Sequence, residues 1–318
     1  MNSEAIKCIQ GYECLSASLG NCLSAVNDQL SGNAIILLGG GIRTYYDSSE
    51  MVIGSDMYDS NYVFLKNMGI DYSINQYTDE DEALDNLTSS LKSNKSMILK
   101  LGAGMLDYNR IFKQAGDSCH CINIFDVNGD ECYIVDGFVP TKEPSVYTGW
   151  VSKNMIMEAW KKTSFESIVL NDLEKIKNYD YTEEIKRAFI KAIKDYMLGG
   201  NDNQIYLGKD AIDRLFSDLL VSFEKLPVEK LVYLNYQLKI YGFISQKWVL
   251  HDIMSILGIG FADEYQKIIM NWNTICSLLL KYTFGKRENK MQSLYDKVKE
   301  CIQNENELLE KIVNTSCG

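Results

Sequence analysis

His120 is one of only two histidines in this 318-residue chain, and it stands in the tripeptide Cys119-His120-Cys121. Asp136 follows sixteen residues later, at the end of a hairpin-like stretch, CHCINIFDVNGDECYIVDG. An imidazole on one strand and a carboxylate on the next suit general acid–base work, the carboxylate orienting the ring. That chemistry still needs a nucleophile. Cys14, in GYECLSASLGNCL, immediately precedes an apolar helical pattern. A thiolate at a helix N-terminus is stabilised by the exposed amides and the helix dipole. The same amides can donate to an oxyanion. Cys8 lies outside this position, and Cys22 lies about two turns into the helix, where neither effect reaches. Gln10, four residues ahead of Cys14, is the candidate side-chain oxyanion donor. Plain structural readings stand beside each: Cys14 as a small buried hydrophobe, His120 as a hydrogen-bonded core histidine, Gln10 as a surface amide. His251, in KWVLHDIM, reads as a structural or exposed helix residue.

The strand and hairpin that must position these groups impose their own limits. His120, Ile122 and Ile124 share one face, and Cys119, Cys121 and Asn123 the other. Alternation therefore takes the flanking cysteines out of the chemistry and makes zinc binding by the tripeptide geometrically poor. The CxxC spacing of structural zinc sites is also absent, and no metal is expected. A two-residue Asn128-Gly129 turn would put Asp136 on the opposite face from His120. A three-residue loop, Val127-Asn128-Gly129 with Gly129 left-handed, sets His120 directly opposite Asp136 and Ile122 opposite Ile134. The three-residue loop is the expectation.

Around the hairpin, the first half has an α+β texture. Leu15, Leu19, Leu23, Val26 and Leu30 predict a helix from Leu15 to about Leu30, with Gly20 inside it. Ala34–Leu38 is a short buried run ended by Gly39-Gly40-Gly41, which lacks the Lys-Ser/Thr of a phosphate loop. Thr78–Ser93 reads as a helix with acids in its first turn, and Ser96–Leu101 as a strand. From about Trp150 the periodicity is nearly all helical. Helices are predicted over Ala211–Phe223, Val228–Gln246, Ala262–Leu280 and Met291–Val313. The expected division is residues 1–163 and 164–318, the second domain all-helical.

Composition narrows the partners. Net charge is −11, which argues against nucleic acid. Residues 1–150 hold 9 Lys/Arg and 20 Asp/Glu, while residues 151–318 hold 23 of each. The acidic half carries the His120 segment and should attract cationic ligands such as amines. No stretch of about 18 apolar residues implies a membrane span. The N-terminus lacks a secretory signal pattern, so a cytoplasmic location and free thiols are expected for the nine unevenly spaced cysteines.

A helix-initiating Cys, a His strand and an Asp about sixteen residues on resemble the papain-like cysteine peptidase clan, including its double-glycine leader-peptidase branch. Closer is the butirosin biosynthesis protein H family. The resemblance rests on ECLSASLGNCL, LLGGGIRTYY, MILKLGAGMLDYN and the His and Asp strands, and loosely on YLGKDAIDRLFSDL and NYQLKIYGFISQ. Family members often carry His just before the Cys, where this chain has Glu13. The resemblance implies a papain-like helix-on-sheet fold with a trailing helical domain. It implies Cys14 as nucleophile, His120 as base and acid, and Asp136 as its orienter. The implied reaction moves an acyl group from a carrier-protein phosphopantetheine thioester, through a Cys acyl-enzyme, to a small amine. It resembles the reaction of the amide synthase of closthioamide assembly. No cofactor is implied, since a thioester is already activated. A peptidase or amidase of the clan, and an inactive binding protein of that fold, are the alternatives. An acidic carrier should avoid the acidic half, so Lys161-Lys162, Lys186-Arg187 and Lys286-Arg287 are the candidate docking sites.

Overall fold

Leucines at helical spacing bury one side of α1 (Cys14–Leu23), where Leu15, Leu19 and Leu23 are fully enclosed. The helix stops short of Leu30. Asn27 spends its side-chain amide on the carbonyls of Ile176 and Tyr179, both at 2.8 Å, and draws the chain out of the helix. Gly20 has a packing reason: a Cβ there would lie 2.4 Å from the Gly32 nitrogen, at the start of α2 (Gly32–Leu38). The apolar run ending at Leu38 is therefore helical. These elements come from a computed structural model, which describes residues 8–93, 97–141, 145–285 and 288–316. Ser96 and the Lys286-Arg287 pair lie outside the described residues.

In chain order there follow β1 (Thr44–Asp47), β2 (Val52–Ser55), α3 (Ser60–Asn67), β3 (Asp71–Asn75), α4 (Glu80–Lys92), β4 (Met97–Gly102), β5 (Cys119–Asn128) and β6 (Glu131–Val139). Then come β7 (Ser145–Ser152), α5 (Lys153–Lys161), β8 (Ser167–Asn171), α6 (Thr182–Leu198), β9 (Asn201–Asp202) and β10 (Ile205–Leu207). The chain ends with α7 (Gly208–Ser222), α8 (Val228–Tyr236), α9 (Phe243–Ile256), α10 (Ala262–Gly285) and α11 (Met291–Ser316).

Two compact units emerge. The first takes residues 1–35 and 61–181, the second residues 36–60 and 182–318. The expected cut at 163/164 differs from this in two ways: the chain leaves the first unit at 181, and residues 36–60 go to the second.

The first unit is α+β. Its antiparallel sheet has the order β3-β8-β4-β5-β6-β7. On one face, α1 lies against β5 through polar contacts: Ser18 Oγ donates to the Cys121 carbonyl at 3.1 Å, and Asn123 donates to the Ser18 carbonyl at 3.0 Å. Asn21 bonds Asn123 at 3.1 Å. The other face buries Leu99, Leu101, Ile122, Ile124 and Ile134 with Trp160 of α5 and Leu87 of α4. This is the expected layout of a helix packed on an antiparallel sheet.

The second unit is mainly helical, but it is not all helix. A small sheet, β2-β1-β10-β9, joins a hairpin from residues 44–55 to one from residues 201–207. Tyr46 of β1 bonds Asp218 of α7 at 3.0 Å. The predicted helix over 228–246 is broken: α8 passes into a π turn at Gln237–Tyr241 and restarts after Gly242, whose φ and ψ are −145° and −106°. His251 lies in α9, half-buried, with Nδ1 3.2 Å from Asp252. Among the described residues, no helix is long and apolar enough to cross a membrane.

Candidate active site

The hairpin turn is two residues, Gly129-Asp130, with Gly129 at φ +59°. It is not the expected three-residue loop. Asn128 pairs with Glu131, Val127 with Cys132 and Asp126 with Tyr133. Continued unchanged, this register would turn Asp136 to the face opposite His120. A bulge at Phe125 intervenes, and pairing resumes one step over, Ile124 with Ile134 and Asn123 with Val135. A one-residue slip moves a whole set of side chains to the other face. The bulge thus returns Asp136 to the His120 face, diagonally placed rather than directly opposite.

The pair that results is buried and tightly bonded. His120 Nε2 lies 2.9 Å from Asp136 Oδ2, with 4% of the His120 surface exposed and none of Asp136. The same Oδ2 accepts from the Tyr108 hydroxyl at 2.8 Å, and Oδ1 accepts from the Phe138 amide at 2.9 Å. Phe112 packs against the imidazole at a tilt, with ring centres 4.9 Å apart. Burial by itself would lower the imidazole, but Asp136, with a smaller push from Cys14, raises it to about 10. With Nε2 taken by Asp136, Nδ1 is the nitrogen left for proton transfer.

Cys14 is the first residue of α1, and Glu13 is the N-cap. The Glu13 carboxylate accepts from the amides of Leu15 at 2.9 Å and Ser16 at 2.7 Å. It also accepts from the Asn61 side chain at 2.9 Å and from Cys14 Sγ at 3.3 Å. The expectation that free amides stabilise the thiolate is therefore corrected: a carboxylate already occupies them. The neighbouring Cys121 thiol, burial and the Glu13 charge hold the Cys14 thiol well above its ordinary value, while His120 pulls it down. Cys121 also corrects the reading that alternation removes both flanking cysteines. Cys119 is exposed, but Cys121 lies under α1 and bears directly on Cys14. The eight described cysteines are all free.

Gln10 is exposed, and among the described residues no hydrogen bond ties it to Cys14 or His120. The structure does not bring it into this site. The Cys14 amide, which the Glu13 cap does not use, is the better oxyanion donor. Among the described residues, no group of three or more His, Cys, Asp and Glu is placed to hold a metal ion.

Glu13 and Tyr108 were not singled out in the sequence for any role. An acid just ahead of the helical pattern is the available signal for Glu13; Tyr108 sits in irregular chain, and its signal is its place in the MILKLGAGMLDYN segment of the resemblance. Tyr108 is a positioning residue for Asp136, with Tyr147 packed 4.6 Å from its ring. Tyr108→Phe should remove one charge-assisted bond, costing about 1.5–3 kcal/mol of stability. Covalent loading of Cys14 should also slow about tenfold, if the lost bond weakens the transition state by about 1.4 kcal/mol. Thermal melts and loading rates check the two parts separately.

Residues 13–137 match the family model described as Butirosin biosynthesis protein H, N-terminal. The match starts at the residue ahead of Cys14 and ends one residue after Asp136. Among solved structures, the chain is similar to a protein from Bacillus anthracis provisionally described as a C39-like peptidase. The identity is 13% and the TM-score 0.37, over 54% of this chain and 96% of that one. No curated protein matches the sequence.

Proposed function

We propose that this member of the butirosin biosynthesis protein H-like family is an acyltransferase of natural-product biosynthesis, joining a thioester-borne acyl group to an amine through Cys14. The observation that carries the reading is the buried His120–Asp136 pair, 2.9 Å apart, bearing on a cysteine that opens α1. The family match over the same segment supports it.

In the first step the Cys14 sulfur bonds to the thioester carbonyl carbon, the carbon–sulfur bond of the donor breaks, and the donor thiol leaves. His120 takes the Cys14 proton as the sulfur attacks and passes it to the leaving donor sulfur, so that it is neutral again for the second step. In the second step an amine nitrogen bonds to the acyl carbon while neutral His120 takes the amine proton. The Cys14 bond then breaks and the amide departs. The Cys14 amide faces the developing oxyanion in both steps. No further activation is required, because the thioester already supplies it.

An acyl N-acetylcysteamine thioester, offered with and without a diamine, separates this reading from the clan's hydrolases. Amide formation supports it. Cleavage of peptides with no amide formed would favour a peptidase or amidase, and an inert Cys14 would favour a binding protein.

The proposed donor is an acyl or peptidyl carrier protein. Lys161 and Lys162 are its best docking candidates, since both are exposed at the end of α5. A Cβ on Gly102 would lie 2.8 Å from Lys162 Cβ, and Gly102 pairs with Cys119, next to His120. Lys186-Arg187 is weaker, because Arg187 already pairs with Glu184 at 3.1 Å. Reversing both charges, Lys161→Glu with Lys162→Glu, should slow loading from a carrier about tenfold, as for rim charges that steer association. Loading from the small thioester should be unchanged. Equal rates from the carrier would remove this docking surface.

A further inference from the structure

Beyond the nucleophile, the base and its orienter, the site holds a fourth ionisable group that the mechanism leaves unused. Glu13 is half-buried and anchored on both oxygens: Oε1 takes the Leu15 amide at 2.9 Å, and Oε2 takes the Ser16 amide at 2.7 Å and the fully buried Asn61 side chain at 2.9 Å. So held, it cannot swing away from Cys14 Sγ, which donates to Oε1 at 3.3 Å. The other groups that face the sulfur are His120 and Cys121 of β5, with Tyr108 and Asp136 behind the imidazole. A positive helix end next to a thiol would make it a good leaving group. Here the same helix end is neutralised by a carboxylate that touches the thiol.

We propose that Glu13 is a specificity-determining residue: its carboxylate, fixed against the Cys14 sulfur by the Leu15 and Ser16 amides and by Asn61, steers the acyl-enzyme toward amines and away from water. This rests on the acyltransferase reading. A more basic thiolate is the stronger nucleophile and the poorer leaving group. With Glu13 against it, the Cys14 sulfur forms its thiolate only slowly at neutral pH, and once acylated it gives the acyl group up reluctantly. Breakdown of the acyl-enzyme then depends more steeply on the strength of the incoming nucleophile, which favours an amine over water. The arrangement suits a transferase that must hold its intermediate until the acceptor arrives.

The test compares wild type with Glu13→Gln and Glu13→Ser. Both remove the charge, and serine is itself a good N-cap, so a folded variant is available if glutamine disrupts the helix. The first measurement is iodoacetamide alkylation of the Cys14 peptide against pH, read by mass spectrometry. The midpoint should fall by about one unit or more, making alkylation at neutral pH about threefold faster, since the roughly tenfold gain in thiolate is partly offset by its lower nucleophilicity. A midpoint that stays or rises in the folded variants overturns the proposal. The second measurement is the ratio of amide to acid formed from the small acyl thioester at fixed amine. It should fall severalfold in the variants. A lower midpoint with an unchanged ratio also overturns the specificity role. Failure of the wild type to load an acyl group overturns the acyltransferase reading and the specificity role with it; the alkylation midpoint would still report whether Glu13 controls the thiol.

Discussion

Cys14→Ala should gain no mass when exposed to an acyl thioester, under conditions in which the wild type gains one acyl group. In the proposed mechanism the sulfur forms the bond to the acyl group, so its removal leaves no covalent path. His120→Ala should keep the nucleophile but load about a thousandfold more slowly or worse, a loss of about 4 kcal/mol in transition-state stabilisation. Two effects combine in that loss. The imidazolium no longer protonates the departing thiol, and its pull on the Cys14 thiol disappears, leaving burial, Cys121 and Glu13 unopposed. Asp136→Asn should fall between, because Phe138 and Tyr108 still frame the side chain while the charge that raises His120 is gone. The pH dependence has a definite sign. With the Cys14 thiol and the His120 imidazole both raised, wild-type loading should climb toward alkaline pH rather than plateau from mildly acidic pH. In Asp136→Asn the imidazole should lose its proton at lower pH than in the wild type. Because these residues act as a unit, Cys14→Ala with His120→Ala should be no worse than Cys14→Ala alone. A Cys14→Ala protein that still gains the acyl mass would move the nucleophile elsewhere, to Cys121 or Cys8.

How much of this site could be read from the chain varies residue by residue, for physical reasons. The leucine spacing after Cys14 located α1, and β alternation put His120 with Ile122 and Ile124. Both are local patterns. Asp136 could be linked to His120 only through the hairpin register, and there the local argument reached the right face by the wrong route. A two-residue turn plus a bulge at Phe125 has the same parity as a three-residue loop without one. Nothing in CINIFDVNGDE marks Phe125 as a bulge. Glu13 was visible as an acid beside the helix, but its grip on Cys14 depends on Asn61, 48 residues away. The same limit applies to the two units. Tyr46 and Asp218 are 172 residues apart, so no local pattern could assign residues 36–60 to the helical unit.

In that helical unit, Glu305→Ala should be the most damaging single change, at about 3–5 kcal/mol. Glu305 is fully buried and takes four donors. Oε1 accepts from Lys247 and from the Tyr265 hydroxyl at 3.2 Å; Oε2 accepts from the Tyr196 hydroxyl and the Trp272 indole, both at 2.9 Å. These donors come from α6, α9 and α10, and Glu305 itself from α11, so one carboxylate ties four helices. Removing it leaves a buried ammonium without its counter-charge and three donors without an acceptor. The rings cannot replace it. Lys247 Nζ sits 4.0 Å from the Phe243 ring centre and 4.3 Å from that of Tyr196, but cation–π contacts are worth only about 1–2 kcal/mol. Burial already lowers the Lys247 ammonium, with Glu305 opposing the shift. Without Glu305 the lysine should therefore lose its proton more readily, which limits the damage at high pH. Lys247→Met should cost less than Glu305→Ala, because the carboxylate would keep three neutral donors and the methionine would fill the aromatic pocket. Chemical denaturation of each variant, following the helical unit's own transition, measures the order. A Glu305→Ala protein within about 1 kcal/mol of wild type, or less harmed than Lys247→Met, would show that packing alone holds the four helices together.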